Sequence, residues 1–389
     1  MGTKRVMRNS SGLRPTSPVL TVRAGARARA HLQREGLHAR DVAIVPAAAG
    51  GPKGLILNAL DQWLFGQWLP SAPRKRDFIG ASIGAWRMAA AVTADPHAAF
   101  ARLAHHYTEQ RYGKKPSPRE VSEVGYGLMA KIFGGHLGAM VNHPLHRLHL
   151  IAVHGRGALA APASRGAEMR GFGAATVANT FSRRRLARHL NRVIFSSMMP
   201  EEAYLDWLFG HALDGARAKF DAFDTHCVPL SERNLVDALI ASGTIPLILE
   251  AVKRIDGAPT GTYWDGGIID YHAHLPYARA PGLTLYPHFV DYIIPGWLDK
   301  AMPWRKLGLG QGRQGDPWLD NVVLIAPSRE FVATLPNRKL PDRGDFKRYG
   351  SNHEGRIAAW NQAIGESGRL AEAFQQFVID PTRYEILPL

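Results

Sequence analysis

Ser82 stands between Gly80 and Gly84 in "GASIGAW", residues 80–86, the G-x-S-x-G spacing that can hold a serine out as a nucleophile. A serine hydroxyl attacks a carbonyl only when a base takes its proton and nearby donors receive the negative charge that develops on oxygen. Two other short stretches offer those groups. "AAAGGPKGL", residues 47–55, sets Gly50, Gly51, Lys53 and Gly54 in a turn whose backbone N–H groups can converge on an anion. "WDGGI", residues 264–268, puts Asp265 directly before Gly266 and Gly267, a carboxylate on a tight turn. On its own, the serine stretch also fits a plain glycine-rich turn in which Ser82 caps the helix that follows.

The flanking residues predict what must position these groups. Asp77 to Gly80 are extended in character, and "AWRMAAAV" favours a helix until Asp95 and Pro96 stop it, so Ser82 falls between strand and helix. A sharp elbow there needs small residues two before and two after the serine, because the turn presses their backbones together. "DVAIVPAAAGG" reads as a buried strand running into the glycine turn, followed by a helix with Ile56, Leu60, Trp63 and Leu64 on one face. "LHLIAVHG" (148–155), "DTHCVPL" (224–230) and "NVVLIAP" (321–327) read as strands, and "TYWDGGIID" as a short one. The helix after "DTHCVPL" opens with a capping box at Ser231 and ends at Gly243 or Pro246.

Strands alternating with helices predict a layered α/β fold with a largely parallel sheet, with the three glycine turns on one edge at the carboxyl ends of their strands. Residues 1–36 read as a basic N-terminal extension: about the first 20 lack periodicity, and Arg23 to Gly36 suit a helix. Residues 37–389 read as one domain, in which 105–146 resolve only as helices and loops.

Composition narrows the function classes. A formal net charge of +15 favours anionic partners, among them acidic membrane surfaces. Much of the excess lies in residues 1–40 and in "SRRRLARHLNR", 182–192, which read as a solvated tail and a solvated helix face. No motif for specific nucleic-acid binding accompanies the charge. The single cysteine, Cys227, excludes an internal disulfide framework and a multi-cysteine metal site, and suits a small buried hydrophobe. "GGPKGL" lacks the G-K-[ST] ending of an ATP-binding Walker loop. The histidines of "HPLHRLH" (143–149) and "HAH" (272–274) lack metal-ligand spacing and read as structural. "IIPGWLDKAMPWRKLGLG", 293–310, suits either an interfacial contact or a surface loop with two half-buried tryptophans. No apolar run reaches the length of a membrane span and no secretory signal is visible, so the expected location is cytoplasmic or peripheral to a membrane.

Taken in order, "AGGPKG", "GASIG" and "ASGTIPLILEAV…TYWDGG" resemble the three blocks of the patatin-like phospholipase family, over about residues 41–100 and 224–277. The resemblance implies a three-layer α/β/α domain and a Ser82–Asp265 catalytic dyad without histidine. It further implies Gly50 and Gly51 as oxyanion donors, with Lys53 where the family usually has arginine and Gly54 beside it. Gly80, Gly84, Gly266 and Gly267 would shape the elbow and the turn. The implied reaction is hydrolysis of carboxylic esters of acyl lipids, including phospholipids, with no metal or cofactor. Ala49 replaces the family's first loop glycine, and "IIDYHAHLP" follows the "DGG" where the family often has Asn and Pro. Two other readings stand beside this one: an α/β-hydrolase esterase with a Ser–Asp–His triad, for which His353 is late enough in the chain, and a catalytically silent basic protein that binds anionic lipid.

Overall fold

A computed structural model describes residues 18–197, 205–209, 217–218, 220–308 and 315–389. Among the described residues eleven strands form one sheet: β1 (Leu20–Ala24), β2 (Val42–Ala47), β3 (Arg76–Ala81), β4 (His146–Gly155), β5 (Leu190–Ser196), β6 (Arg217–Ala218), β7 (Thr225–Pro229), β8 (Tyr263–Asp265), β9 (Leu283–Pro287), β10 (Val322–Pro327) and β11 (Ile386–Pro388). Their order is β11-β1-β10-β9-β2-β3-β4-β5-β7-β6, with β8 added on β4. The central run β10-β9-β2-β3-β4 is parallel throughout. Its strands are covered on both faces, which is why β2 and β3 are buried at every position. Helices pack against both faces of the sheet, giving the expected three-layer α/β/α arrangement.

The helix Ile83–Ala91 lies directly after β3 and packs on β3 and β2. It ends at Ala91, short of the expected stop at Asp95, whose carboxylate instead caps the next helix, Pro96–Thr108, by accepting the Ala98 N–H. Residues 105–146, unassigned in detail from sequence, supply the helices Pro118–Phe133 and Leu137–Val141. The helix expected after β7 spans Leu235–Gly243. It has no capping box at Ser231. Instead the Ser231 N–H donates to Asn234 Oδ1, and the Asn234 amide reaches the carbonyls of Pro229 and Asp256. Asn spans three backbone groups here, more than the serine hydroxyl could satisfy.

Three further expectations are corrected. First, the chain from Leu20 onward is part of the sheet and not an appended extension. β1 is flanked by β10 and β11, and the helix Ala26–Glu35 and a 3-10 turn at Ala39–Asp41 follow it before β2. The residues before 18 lie outside the described residues. Second, "SRRRLARHLNR" is only partly a solvated face. Arg184, Arg185 and Arg188 are exposed, but Arg183 bonds to Asp299 and the Ile269 carbonyl, and Arg192 on β5 is fully buried. Third, β8 runs antiparallel to β4, so the "WDGG" turn does not follow a parallel strand. Among the described residues no helix is long and apolar enough to cross a membrane.

Candidate active site

β4 carries the site on one edge. β5 pairs with it along His149–Gly155, so β3 and β8 share the other edge: β3 pairs up to Ala81 opposite Ile151, and β8 takes over with Asp265 opposite Ala152. The two strands therefore run toward each other. β3 turns away at Ser82 just where β8 arrives at Asp265.

The turn at Ser82 is a sharp elbow. Ser82 has φ 57° and ψ −128°, outside the regions a side chain ordinarily adopts. Gly80 and Gly84 allow it: a Cβ on Gly80 would fall on the Gly84 backbone, and one on Gly84 would fall on the Ala47 carbonyl at the end of β2. Ser82 N–H donates to Ser242 Oγ (2.9 Å), whose hydroxyl donates on to the Ile151 carbonyl (2.6 Å). The elbow is thereby pinned both to β4 and to the helix Leu235–Gly243.

Ser82 Oγ donates to Asp265 Oδ2 at 2.7 Å, and the Gly267 N–H donates to Asp265 Oδ1 at 2.7 Å. Both side chains are nearly covered, Ser82 at 3% and Asp265 at 7% exposure. Burial raises the Asp265 pKa from its ordinary value, against the pull of the Arg343 charge and of the hydrogen bonds from Ser82 and Gly267. A carboxylate so placed is a stronger proton acceptor than a solvated one. Gly266 sits against β4, where a Cβ would strike the Ile151 carbonyl.

The glycine loop completes one wall. Gly50 packs under the Phe289 ring and lines the same cavity as Ser82 and Asp265, while Gly51 (φ 58°) lies beside the Arg343 guanidinium and the Tyr107 hydroxyl. Among the described residues no hydrogen bond occupies the Gly50 or Gly51 N–H. Gly54 packs on Ile83 and Arg87 of the elbow helix. Arg87 and Asp61 form a fully buried, doubly hydrogen-bonded pair (2.7 Å each) that ties the segment after the loop to that helix.

Ser82 is shared by two cavities. The larger, about 1030 Å³, has apolar walls including Trp86, Leu128, Ile240, Ile248, Leu249 and Phe346. The smaller, about 320 Å³, holds Asp265 together with Lys53, Lys300, Arg343, Asp342 and Tyr271. Lys53 Nζ lies 5.5 Å from the centre of the Phe289 ring and Lys300 Nζ 4.1 Å from that of Tyr271. Sequence reasoning found Lys53 but missed Lys300, Arg343, Tyr271 and Ser242 as site residues. "GWLDKAMPW" signalled only an aromatic, basic segment, and nothing around Arg343 in "LPDRGDF" marked it out.

The remaining sequence candidates fall elsewhere. His353 lines the larger cavity, and among the described residues no hydrogen bond joins it to Ser82 or Asp265. His149 bridges Ser196 and Asp77, the Nδ1 atoms of His143 and His272 accept backbone N–H groups, and His274 Nε2 lies 2.9 Å from Asp316. Cys227 is half-buried on β7. In the 293–310 segment Trp297 is 41% and Trp304 72% exposed, more open than two half-buried rings. Compared with protein-family models and with curated proteins, the chain matches none. Fold and site define a mixed α/β protein with a buried Ser–Asp pair at a strand-to-helix elbow.

Proposed function

We propose that this protein is a serine hydrolase of the patatin-like type that cleaves carboxylic esters of acyl lipids through Ser82 and Asp265. The observation that carries the reading is the 2.7 Å hydrogen bond from the strained Ser82 to a buried carboxylate, at the foot of an apolar cavity of about 1030 Å³.

In this reading Ser82 Oγ attacks the ester carbonyl carbon while Asp265 Oδ2 takes the hydroxyl proton. The Gly50 and Gly51 N–H groups receive the oxyanion. Collapse of the tetrahedral intermediate breaks the ester C–O bond, and Asp265 returns the proton to the departing alcohol. A water then attacks the acyl-serine and gives a proton to Asp265; collapse of this second intermediate breaks the acyl C–Oγ bond, Ser82 Oγ takes the proton back from Asp265, and the carboxylic acid leaves. The acyl chain lies in the larger cavity against Trp86, Leu128 and Ile240. Exposed Ile248 on the larger cavity and Trp297 on the smaller one, with a net charge of +15, favour contact of the site with an anionic lipid surface.

The test is labelling with a fluorophosphonate, followed by intact mass, on the wild type, Ser82→Ala and Asp265→Asn. One adduct on the wild type, lost in both variants, is the expected result. A folded wild type that takes no label, and hydrolyses no acyl ester, would replace this reading with that of a silent lipid-binding protein.

A further inference from the structure

The smaller cavity has a charge pattern that ester cleavage alone does not call for. Three cations, Lys53, Lys300 and Arg343, reach it from three separate segments of the chain. Among the described residues none of them makes a salt bridge or a side-chain hydrogen bond. The carboxylates on the same cavity have other partners: Asp265 accepts from Ser82 and Gly267, and Asp342 lies 2.9 Å from Lys339.

Lys53 and Lys300 are half-buried, each over an aromatic ring, and Arg343 is exposed at the rim. Lys300 is moreover held in place from behind. The buried Asp299 next to it accepts from Arg183, Arg305, Asn179 and the Gly296 N–H. Like charges crowded and partly desolvated in this way are costly unless an anion joins them. Burial, then the Lys53 and Arg343 charges, bring the Lys300 pKa down to about 8.

The cavity adjoins the apolar one, with Ser82, Ile245 and Arg343 lining both, so a ligand with its ester at Ser82 can place a chain in one and a charged group in the other. We infer that Lys53, Lys300 and Arg343 form an anion subsite, which selects acyl esters carrying a phosphate-like group close to the scissile bond. This rests on the hydrolase reading for its chemistry, but not for its binding.

Binding is therefore tested first on the Ser82→Ala protein by calorimetry, with three ligands: short-chain 1-acyl-glycerol 3-phosphate, the uncharged monoacylglycerol of the same chain, and inorganic phosphate. The acyl phosphate is expected to bind about tenfold or more tighter than either of the others. Lys300→Met and Arg343→Met should each remove most of that margin, and Lys300→Arg should restore it. Thermal melts of each variant identify any that fails to fold, in which case the other cation's variant decides. Equal binding of the charged and uncharged esters would overturn the inference. So would inorganic phosphate binding as tightly as the acyl phosphate, since the chain would then add nothing.

Kinetics on the wild type separate the two failures. Hydrolysis of both esters at equal kcat/KM sinks the anion subsite and keeps the hydrolase. Binding of the acyl phosphate without hydrolysis keeps the subsite and sinks the hydrolase.

Discussion

Ser82 and Asp265 meet at 2.7 Å because β3 and β8 run toward one another along the same edge of β4. Each residue is the point at which its strand gives out. The Ser82 elbow turns off into the helix Ile83–Ala91, and the aspartate turns into the Gly266–Gly267 corner. Rigid strands therefore fix the dyad on both sides, and the geometry does not depend on a mobile loop.

Burial sets the working pH of the proposed base. The active form of Asp265 is the ionised one, and its pKa is raised above the ordinary 3.8. Hydrolysis should therefore fail on acidification at a pH above that value, as kcat falls through the raised pKa. Arg343 pulls the pKa the other way, so Arg343→Met should move the acid limb further upward. Measuring kcat against pH for both proteins checks the sign; a limb that moves downward in the variant contradicts the assignment.

Lys300 gives the opposite limb. It is charged below about pH 8 and neutral above, and the charged and ring groups that face it are Lys53, Arg343, Asp265, Asp342, Tyr271 and Trp297. The KM for a phosphate-bearing ester should rise as pH climbs through 8, while that of its uncharged partner stays flat. A bound anion raises the Lys300 pKa, so binding near pH 8 should take up a proton. Calorimetry in two buffers of different ionisation enthalpy reads that uptake directly.

Gly84→Ala would push a methyl group into the Ala47 carbonyl. Relieving the clash moves either the elbow or the end of β2, at a cost of about 1–3 kcal/mol, and should shift Ser82 off its partner. Both the melting temperature and fluorophosphonate labelling are expected to fall. Gly173→Ala, in the helix Arg165–Phe181 with open space around the new methyl, serves as the control and should melt at the same temperature or higher.

Arg192 clamps the chain just beyond the dyad. Its guanidinium donates twice to Asp270 (2.6 and 2.9 Å) and twice to Asp221 (3.1 and 2.8 Å). Arg192→Met strands two carboxylates without their cation, and should cost about 3–5 kcal/mol at neutral pH. The deficit should shrink on acidification, because protonation removes the uncompensated charge at Asp221, whose carboxyl, against the cost of burial, Arg192 holds below its ordinary value in the wild type. Denaturant titrations at pH 7 and pH 5 compare the two conditions; a deficit independent of pH would mean that lost packing, not charge, is responsible.

The parts of the site that could be read from sequence share one physical cause. Ser82, Asp265 and Gly50–Gly51 each sit at a turn so tight that the neighbouring residues must be small, and those glycines are visible in a string of letters. Lys300, Arg343 and Ser242 face no such constraint. They act through distance in space, and nothing local forces their identity. The same holds for the fold. β2 and β10 are strongly apolar runs, whereas β5 carries Arg192 in its middle, a residue that reads as solvated until Asp221 and Asp270 are brought to it. β8, at three residues, carries no signal of its direction.

β1 has a consequence for how the chain comes to be folded. Its register partners lie on β10, with Val22 opposite Ile325, and on β11, with Val22 opposite Ile386. During synthesis from the amino end, Leu20–Ala24 leave the ribosome early and have no strand to pair with until residues 322–327 follow. The central strands β2, β3 and β4, and with them the Ser82 elbow, can assemble in the meantime. This side of the sheet is therefore a late event on the ribosome, with β1 left waiting for its neighbours, and a chaperone that holds nascent chains would find a target there.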